Sequence, residues 1–233
     1  MHTVVIIPTY NEAENITTII PRVLSSVPNV WILVVDDNSP DGTALKVEEI
    51  MRSEKRVGLL NRNRKEGLGK AYVHAFDEVL KDHSIEYLVM MDADHSHDPK
   101  YLPSMLEAVE QADMVTGSRY IEGGETEGWE VWRKMLSTYG NTYCRIITGM
   151  PINDATAGFN VIRTSTLRRA DIRRLNLSGY AFQMELKYLL WKSGARCIEV
   201  PIVFKNRKEG ESKISNHIIR EGLIAPWKMR FRK

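Results

Sequence analysis

Residues 87–99 read YLVMMDADHSHDP, an apolar run that stops abruptly at acids and histidines. Ionised carboxylates are costly to bury without a partner, so Asp92, Asp94 and Asp98 belong at a surface, at an ion or against cations. The same punctuation occurs twice earlier. TVVIIP (3–8) runs into Asn11-Glu12, and VWILVVDD (30–37) ends in the pair Asp36-Asp37. Short apolar runs of this length read as buried strands. In an open parallel sheet, ligands collect at the carboxyl ends of the strands. Three acidic clusters at three such ends therefore predict one polar site along one edge of one sheet.

Working outward, NEAENITTII (11–20) reads as a helix that Pro21 should kink or delay, since proline lacks the N–H that a helix interior needs. Ser39 and Pro40 have the chemistry of an N-cap and first helical position for a helix ending near Ser53. VGLLN (57–61) is a third strand, GLGKAYVHAFDEVLKD (67–82) a helix, and Asp98-Pro99 a cap for the helix after the fourth strand. MVTGSRY (114–120) is a fifth strand. Strand and helix alternate, which predicts an α/β protein with a mostly parallel central sheet and helices on both faces. After Gly123-Gly124 the pattern loosens. A Trp-rich helix (about 129–148), the loop PINDATAGFN, an apolar helix (181–193) ending at Gly194, and the strand CIEVPIVF (197–204) follow. Pro201 confines that last strand to an edge or a bulge. With no repeat or linker, the expectation is one domain over 1–233, with a regular first half (1–122) and a more variable second half (123–233).

The 233 residues, 43% hydrophobic and 27% charged, exclude wholesale disorder. Two cysteines, Cys144 and Cys197, give neither metal spacing nor a disulfide framework. No apolar run reaches the length of a spanning helix, and no signal-peptide pattern opens the chain, so a cytoplasmic protein is expected. Net charge is only +2, yet residues 205–233 carry nine Lys/Arg against three Glu. That basic end predicts an anionic partner.

A carboxylate pair such as Asp92/Asp94 suits a hard cation that keeps waters and bridges substrate phosphates. Asp36 or Asp37, one strand over, could accept hydrogen bonds from a base or a ribose. Either Asp37 or Asp41 could equally cap the next helix. His95 and His97 suggest zinc, but a third ligand is lacking, and His97 reads as a loop residue that hydrogen-bonds its turn. EGLGKA (66–71) imitates a phosphate-binding loop, yet Arg64 stands where the first glycine belongs and Ala71 where the Ser/Thr belongs. No GxGxxG follows the first strand. An aspartyl-phosphate phosphatase also uses Asp-x-Asp at a strand end, but near the start of its chain, whereas this pair follows the fourth strand.

The stretches PTYNE (8–12), VDDNSPDGT (35–43), MDADHSHDPKYLP (91–103), GSRY (117–120), DATAGFN (154–160) and RKEGESK (207–213) occur in this order. Together they resemble family 2 glycosyltransferases, in particular the polyprenol-phosphate branch typified by dolichol-phosphate mannose synthases. The resemblance covers nearly the whole chain. It implies the GT-A nucleotide-diphosphosugar-binding fold and inverting transfer of mannose from GDP-mannose to a polyprenyl or dolichyl phosphate. A UDP-sugar donor, or a non-catalytic nucleotide-sugar-binding subunit, is the alternative. It further implies that Pro8, Tyr10 and Glu12 surround the nucleotide, and that Asp37 meets the base or ribose. Asp92 and Asp94 would hold Mg2+ or Mn2+, with Ser96 standing where the family often has Gln. Arg119, Arg133 and Ser137 would meet the acceptor phosphate, and Arg207 and Lys213 would close over the phosphates.

That chemistry needs no general base. The second ionisation of a phosphate monoester has a pKa of about 6, so the nucleophile is already anionic near neutrality. The task is to bring two anions together, for which arginine forks and a metal are suited. The acceptor also implies a membrane. HIIREGLIAPWKMRFRK (217–233) combines apolar and aromatic residues with basic ones, and Pro226 should split it into a short helix and a basic aromatic tail. Peripheral attachment to the cytoplasmic face, with or without a separate anchoring subunit, is the expectation; nucleic acid is not an expected partner.

Overall fold

A computed structural model describes residues 2–175, 179–205 and 216–231, with the side chains of residues 179, 180 and 216–219 left aside. The strands are β1 (Thr3–Thr9), β2 (Val30–Asp36), β3 (Val57–Asn61), β4 (Tyr87–Met90), β5 (Met114–Ser118), β6 (Glu125–Glu127), β7 (Asn160–Arg163), β8 (Cys197–Pro201) and β9 (Val203–Lys205). The helices are α1 (Ala13–Ser26), α2 (Thr43–Ser53), α3 (Leu68–Val79), α4 (Leu102–Ala108), α5 (Val131–Thr148), α6 (Thr164–Arg169), α7 (Gly179–Lys192) and α8 (Asn216–Phe231).

Seven strands form one sheet in the order β3-β2-β1-β4-β7-β5-β8, and β6 pairs with β9 beside it. Every pairing in the large sheet is parallel except the two made by β7. The mostly parallel sheet is thus as expected. Alternation along the strands divides the core in two. Val5 and Ile7 of β1 pack with α1, α2 and α4, while Val4 and Ile6 pack with α3, α7 and α8. Helices on both faces follow from this, because a parallel sheet must be covered on each side.

Several local expectations are corrected. Helix α1 begins at Ala13 and runs through Pro21, which lies on its exposed side. Ser39 does not cap α2. Its amide and hydroxyl both donate to Asp36 (2.8 and 2.6 Å), and the helix starts at Thr43 after Gly42 in a left-handed conformation. The stretch 197–204 is two strands, broken at Ile202; β8 is the edge strand that Pro201 called for. Strands β6 and β7 and helix α6 were not foreseen. Gly124 permits the turn into β6, since a Cβ there would sit 2.6 Å from the Ser118 carbonyl oxygen.

Pro226 does not split the C-terminal helix: α8 continues to Phe231. Proline removes one helical hydrogen bond, and α5 supplies a brace across the gap. The Tyr143 hydroxyl donates to the Leu223 carbonyl (3.0 Å) and accepts from the Trp227 indole (2.7 Å).

Candidate active site

The carboxyl ends of β2, β1 and β4 stand side by side, and each is followed by a residue in the left-handed region: Asn38 (φ 58), Asn11 (φ 60) and His95 (φ 62). These are the non-glycine residues with positive φ among the described residues. Such conformations cost energy and cluster where loops are shaped for function. The loops also bind one another. Asn11 donates its amide to Ser39 Oγ, Glu12 its amide to Thr43 Oγ1, and Ala13 its amide to Asp41 Oδ2, each at 3.0 Å. Asp41 caps both α1 and α2 in this way. Burial pushes its carboxyl up, but the bonds from Thr43 and Ala13 outweigh this and leave it below the ordinary range.

At the β1–β2 side, Pro8 is half-buried and Tyr10 is exposed with the Lys65 ammonium 3.7 Å from its ring centre. The Glu12 carboxylate accepts from Asn15 (2.6 Å). Asp36 is buried between Thr9 and Ser39. Asp37 is buried against Arg62, which also reaches Glu66 at 3.0 Å. A cavity of about 740 Å³ opens beside this pair, lined in part by Arg62, Arg64, Lys70 and His74. Cations and acids are therefore interleaved here, which fits a ligand with both an anionic chain and donor groups.

At the end of β4, Asp92 and Asp94 are half-buried. Ser96 donates both its hydroxyl (2.6 Å) and its amide (3.1 Å) to Asp94 Oδ1, which fixes that carboxylate. Buried as it is, Ser96 orients the acid in this geometry. His97 accepts the Asp92 amide at Nδ1 (2.9 Å), which is the turn role expected of it. His95 faces α1, where Thr18 and Arg22 each lie 2.9 Å from a ring nitrogen. Beneath them the Tyr72 phenol is held well above its usual pKa, by burial first and then by the charges of Asp92 and Asp94. Among the described residues no three His, Cys, Asp or Glu side chains converge as a metal cluster. Two carboxylates side by side, the Asp94 one fixed by the Ser96 hydroxyl, fit a hard divalent cation that takes its remaining ligands from water and phosphate; they do not fit a zinc site.

The cationic side lies across β5 and α5. Arg119 Nε and one terminal nitrogen each reach an Asp154 carboxylate oxygen at 2.7 Å, and the same terminal nitrogen lies 2.8 Å from Thr156 Oγ1. Both partners are buried. Burial pushes the Asp154 carboxyl up, yet the Arg119 charge and bonds bring it below the usual range. Arg133 is half-buried with its guanidinium 4.1 Å from the Trp129 ring centre, and Arg119 stands 5.4 Å from the same ring. The Trp129 indole nitrogen is buried without a hydrogen-bond partner among the described residues. Ser137, one turn after Arg133, is linked through its carbonyl to Asn141, which in turn binds Thr156. Arg119, Arg133 and Ser137 are thus brought to one place. Arg207 and Lys213 lie outside the described residues.

A family model for glycosyl transferase family 2 matches residues 4–170. The chain belongs to that family. Among curated relatives, an undecaprenyl-phosphate mannosyltransferase of Micrococcus luteus is 42% identical over 224 residues, 96% of this chain and 92% of that protein. A polyprenol monophosphomannose synthase of Mycolicibacterium smegmatis is 43% identical over 234 residues, 99% of this chain and 88% of that one. A dolichol-phosphate mannosyltransferase of Pyrococcus furiosus is 35% identical over 94% of this chain, which spans 61% of that longer protein. Two solved structures share the fold. A Pyrobaculum calidifontis mannosyltransferase in complex with GDP-Man and Mn2+ superposes with a TM-score of 0.64 at 17% identity, over all of this chain and 64% of that one. Glucosyl-3-phosphoglycerate synthase of Mycobacterium tuberculosis, with Mn2+ and UDP-Glc, gives 0.70 at 15% identity, over 98% and 79%. The architecture is the GT-A fold of family 2 glycosyltransferases.

One buried residue of this family 2 site escaped the sequence reading. Lys187 on α7 has no solvent contact and donates to the Ala155 and Ala157 carbonyls, the former at 3.3 Å. Burial depresses its pKa to about 8, against the partly restoring charge of Asp154. The signal was present: in FQMELKYLLW, Gln183 and Lys187 are polar and four apart, so they share one face of a mostly apolar helix, whereas Glu185 lies off that face.

Proposed function

We propose that this family 2 enzyme transfers mannose from GDP-mannose to a polyprenyl phosphate, with inversion at the anomeric carbon. The observation that carries this reading is identity above 40% over nearly the whole chain to two proteins named for mannose transfer to such lipids. The geometry supports a division of labour. In this reading Pro8, Tyr10, Glu12 and Asp37 hold the nucleotide, with Arg62 and Lys65 beside them. Residues 1–122 form the donor half, and residues 123–233 supply most acceptor contacts.

Asp92 and Asp94 would hold Mg2+ or Mn2+ against the donor diphosphate, with Ser96 fixing the second acid. When bound, such an ion offsets the charge that develops on the departing nucleoside diphosphate. Arg133 and Ser137 receive the acceptor phosphate in this account, with the Trp129 nitrogen as a further donor; Arg207 and Lys213 would join from the late loop. Arg119 acts mainly through Asp154, by fixing the loop under that site. The acceptor arrives ionised, so the chain needs to orient it rather than deprotonate it.

In this account the membrane contact involves two helices besides the tail. Along α5, Trp132, Met135, Leu136, Tyr139 and Ile146 are exposed at helical spacing, and α8 adds Leu223, Ile224, Trp227 and Phe231. Exposed Arg220, Lys228 and Arg230 accompany them. Aromatic residues favour the headgroup boundary, and each cation near an anionic surface contributes about 1 kcal/mol. No helix among the described residues is long and apolar enough to cross a membrane. Peripheral contact on the cytoplasmic face, alone or beside an anchoring subunit, fits this surface.

The test is a panel of GDP- and UDP-sugars with a short polyprenyl phosphate and Mg2+ or Mn2+. Transfer of mannose from GDP-mannose, lost in chelator and in Asp94→Ala while the fold persists, is expected. Preference for a UDP-sugar would replace the donor; full activity in chelator would remove the cation from the account.

A further inference from the structure

The loop between α5 and β7 is held from four directions. Glu199 of β8 accepts the amides of Asn153 and Asp154, both at 2.9 Å. Arg119 grips the Asp154 side chain, and Asn141 of α5 accepts the Thr156 amide at 3.1 Å. The fourth hold is Lys187, whose ammonium lies under the carbonyls of Ala155 and Ala157. An ammonium taken out of water costs several kcal/mol, and an apolar side chain of similar length fills such a space without that cost. What Lys187 supplies, and methionine would not, is donors to two carbonyls.

Those carbonyls lead directly to the acid pair. After Ala157 come Gly158 and Phe159, and the buried His97 ring packs on both. A Cβ on Gly158 would lie 3.2 Å from His97 Cε1, and the His97 and Phe159 rings stack with centres 5.0 Å apart. Phe204 closes the ring's edge at 5.8 Å. His97 in turn accepts the amide of Asp92. Gln183, one helical turn before Lys187, fixes the far end of the loop through Asn160 (3.3 Å).

We propose that Lys187 is a positioning residue: by holding the Ala155 and Ala157 carbonyls it seats Gly158 and Phe159 against His97, and so fixes the backbone from which Asp92 and Asp94 present their carboxylates to a divalent cation. This rests on the reading of those two acids as the cation site. Lys187 lies outside the ligand set itself and touches neither substrate.

The experiment titrates Mn2+ into wild type, Lys187→Met, Gly158→Ala and Asp94→Ala in the presence of GDP, reading free Mn2+ by electron paramagnetic resonance. Thermal melting is followed in parallel. Lys187→Met and Gly158→Ala are expected to weaken Mn2+ binding at least tenfold; in Gly158→Ala, which leaves the holds on Asp154 and Thr156 intact, the acceptor KM should stay within about twofold of wild type. Gly158→Ala adds one methyl against His97 and keeps the buried charge, so it decides the matter if Lys187→Met does not fold. Mn2+ binding unchanged in both variants but weakened in Asp94→Ala overturns the role of Lys187 alone. Unchanged binding in Asp94→Ala overturns the cation reading, and the role of Lys187 with it.

Discussion

Arg119 and Asp154 face each other fork to fork, both buried, with two parallel contacts of 2.7 Å. A third bond runs from the Arg119 amide to the same carboxylate at 3.0 Å. Removing one member of such a pair strands the other charge in the core, at a cost of about 3–5 kcal/mol. Arg119→Ala should therefore lower the melting temperature by roughly 6–20 °C, since 1 kcal/mol corresponds to about 2–4 °C at this size. Arg119→Lys, which loses the fork, should recover only part of the difference. A variant that melts like wild type yet fails to use the acceptor would return Arg119 to the phosphate.

Arg133 should behave differently. It is half-buried against Trp129, so Arg133→Ala is expected to melt within a few degrees of wild type. The KM for the lipid phosphate should rise at least tenfold while the affinity for GDP-mannose stays within about twofold. Equal loss of both would mean that Arg133 serves the donor.

The apolar stripe of α5 predicts where the protein meets lipid. Trp132→Glu combined with Tyr139→Glu should cut co-sedimentation with anionic vesicles more than removal of residues 232–233 does. Activity on a short, water-soluble acceptor should be retained. If only the terminal truncation matters, the contact belongs to the tail.

Lys187 gives a pH dependence whose sign can be worked out. Its folded pKa is about 8 and its ordinary value 10.5. Between these the unfolded chain binds more protons than the native one, so this residue makes stability rise with pH across that window. Measured by urea unfolding as the difference between wild type and Lys187→Met, the shift should favour wild type by on the order of 3 kcal/mol from pH 8 to 10.5. The charges facing Lys187 are Asp154, Arg119 and Glu199, with the thiols of Cys144 and Cys197 pushed by burial up to about 11, beyond the window. A flat difference would mean that the ammonium is not desolvated.

The sheet was readable because β1 to β5 are apolar runs with acids or turns at their ends. Strand β6 is Glu-Thr-Glu and carries no apolar signal; β7 has four residues with polar ends, and its place in the sheet comes from pairing with strands more than forty residues away. The acid pair was visible as a local motif. The partner of Arg119 was not, because it stands 35 residues along the chain. Ser39 illustrates the opposite failure: its hydroxyl oxygen does accept a backbone amide as a cap would, but that of Asn11, while its own N–H and O–H go to Asp36. Pro226 was misread because the brace from Tyr143 is tertiary.

Strand β7 lies between β4 and β5, both of which precede it in the chain by at least forty residues. A growing polypeptide that has emerged only as far as residue 122 holds two strands with a slot between them, and nothing to fill it until residues 160–163 follow. Residues 197–201 must then come back to cover the outer side of β5. Closure of such distant pairings is slow. Residues 1–122 and 123–233 should accordingly be inseparable in folding: a fragment ending at 122 would expose unpaired backbone at the middle of its sheet, and the full chain would unfold in one step.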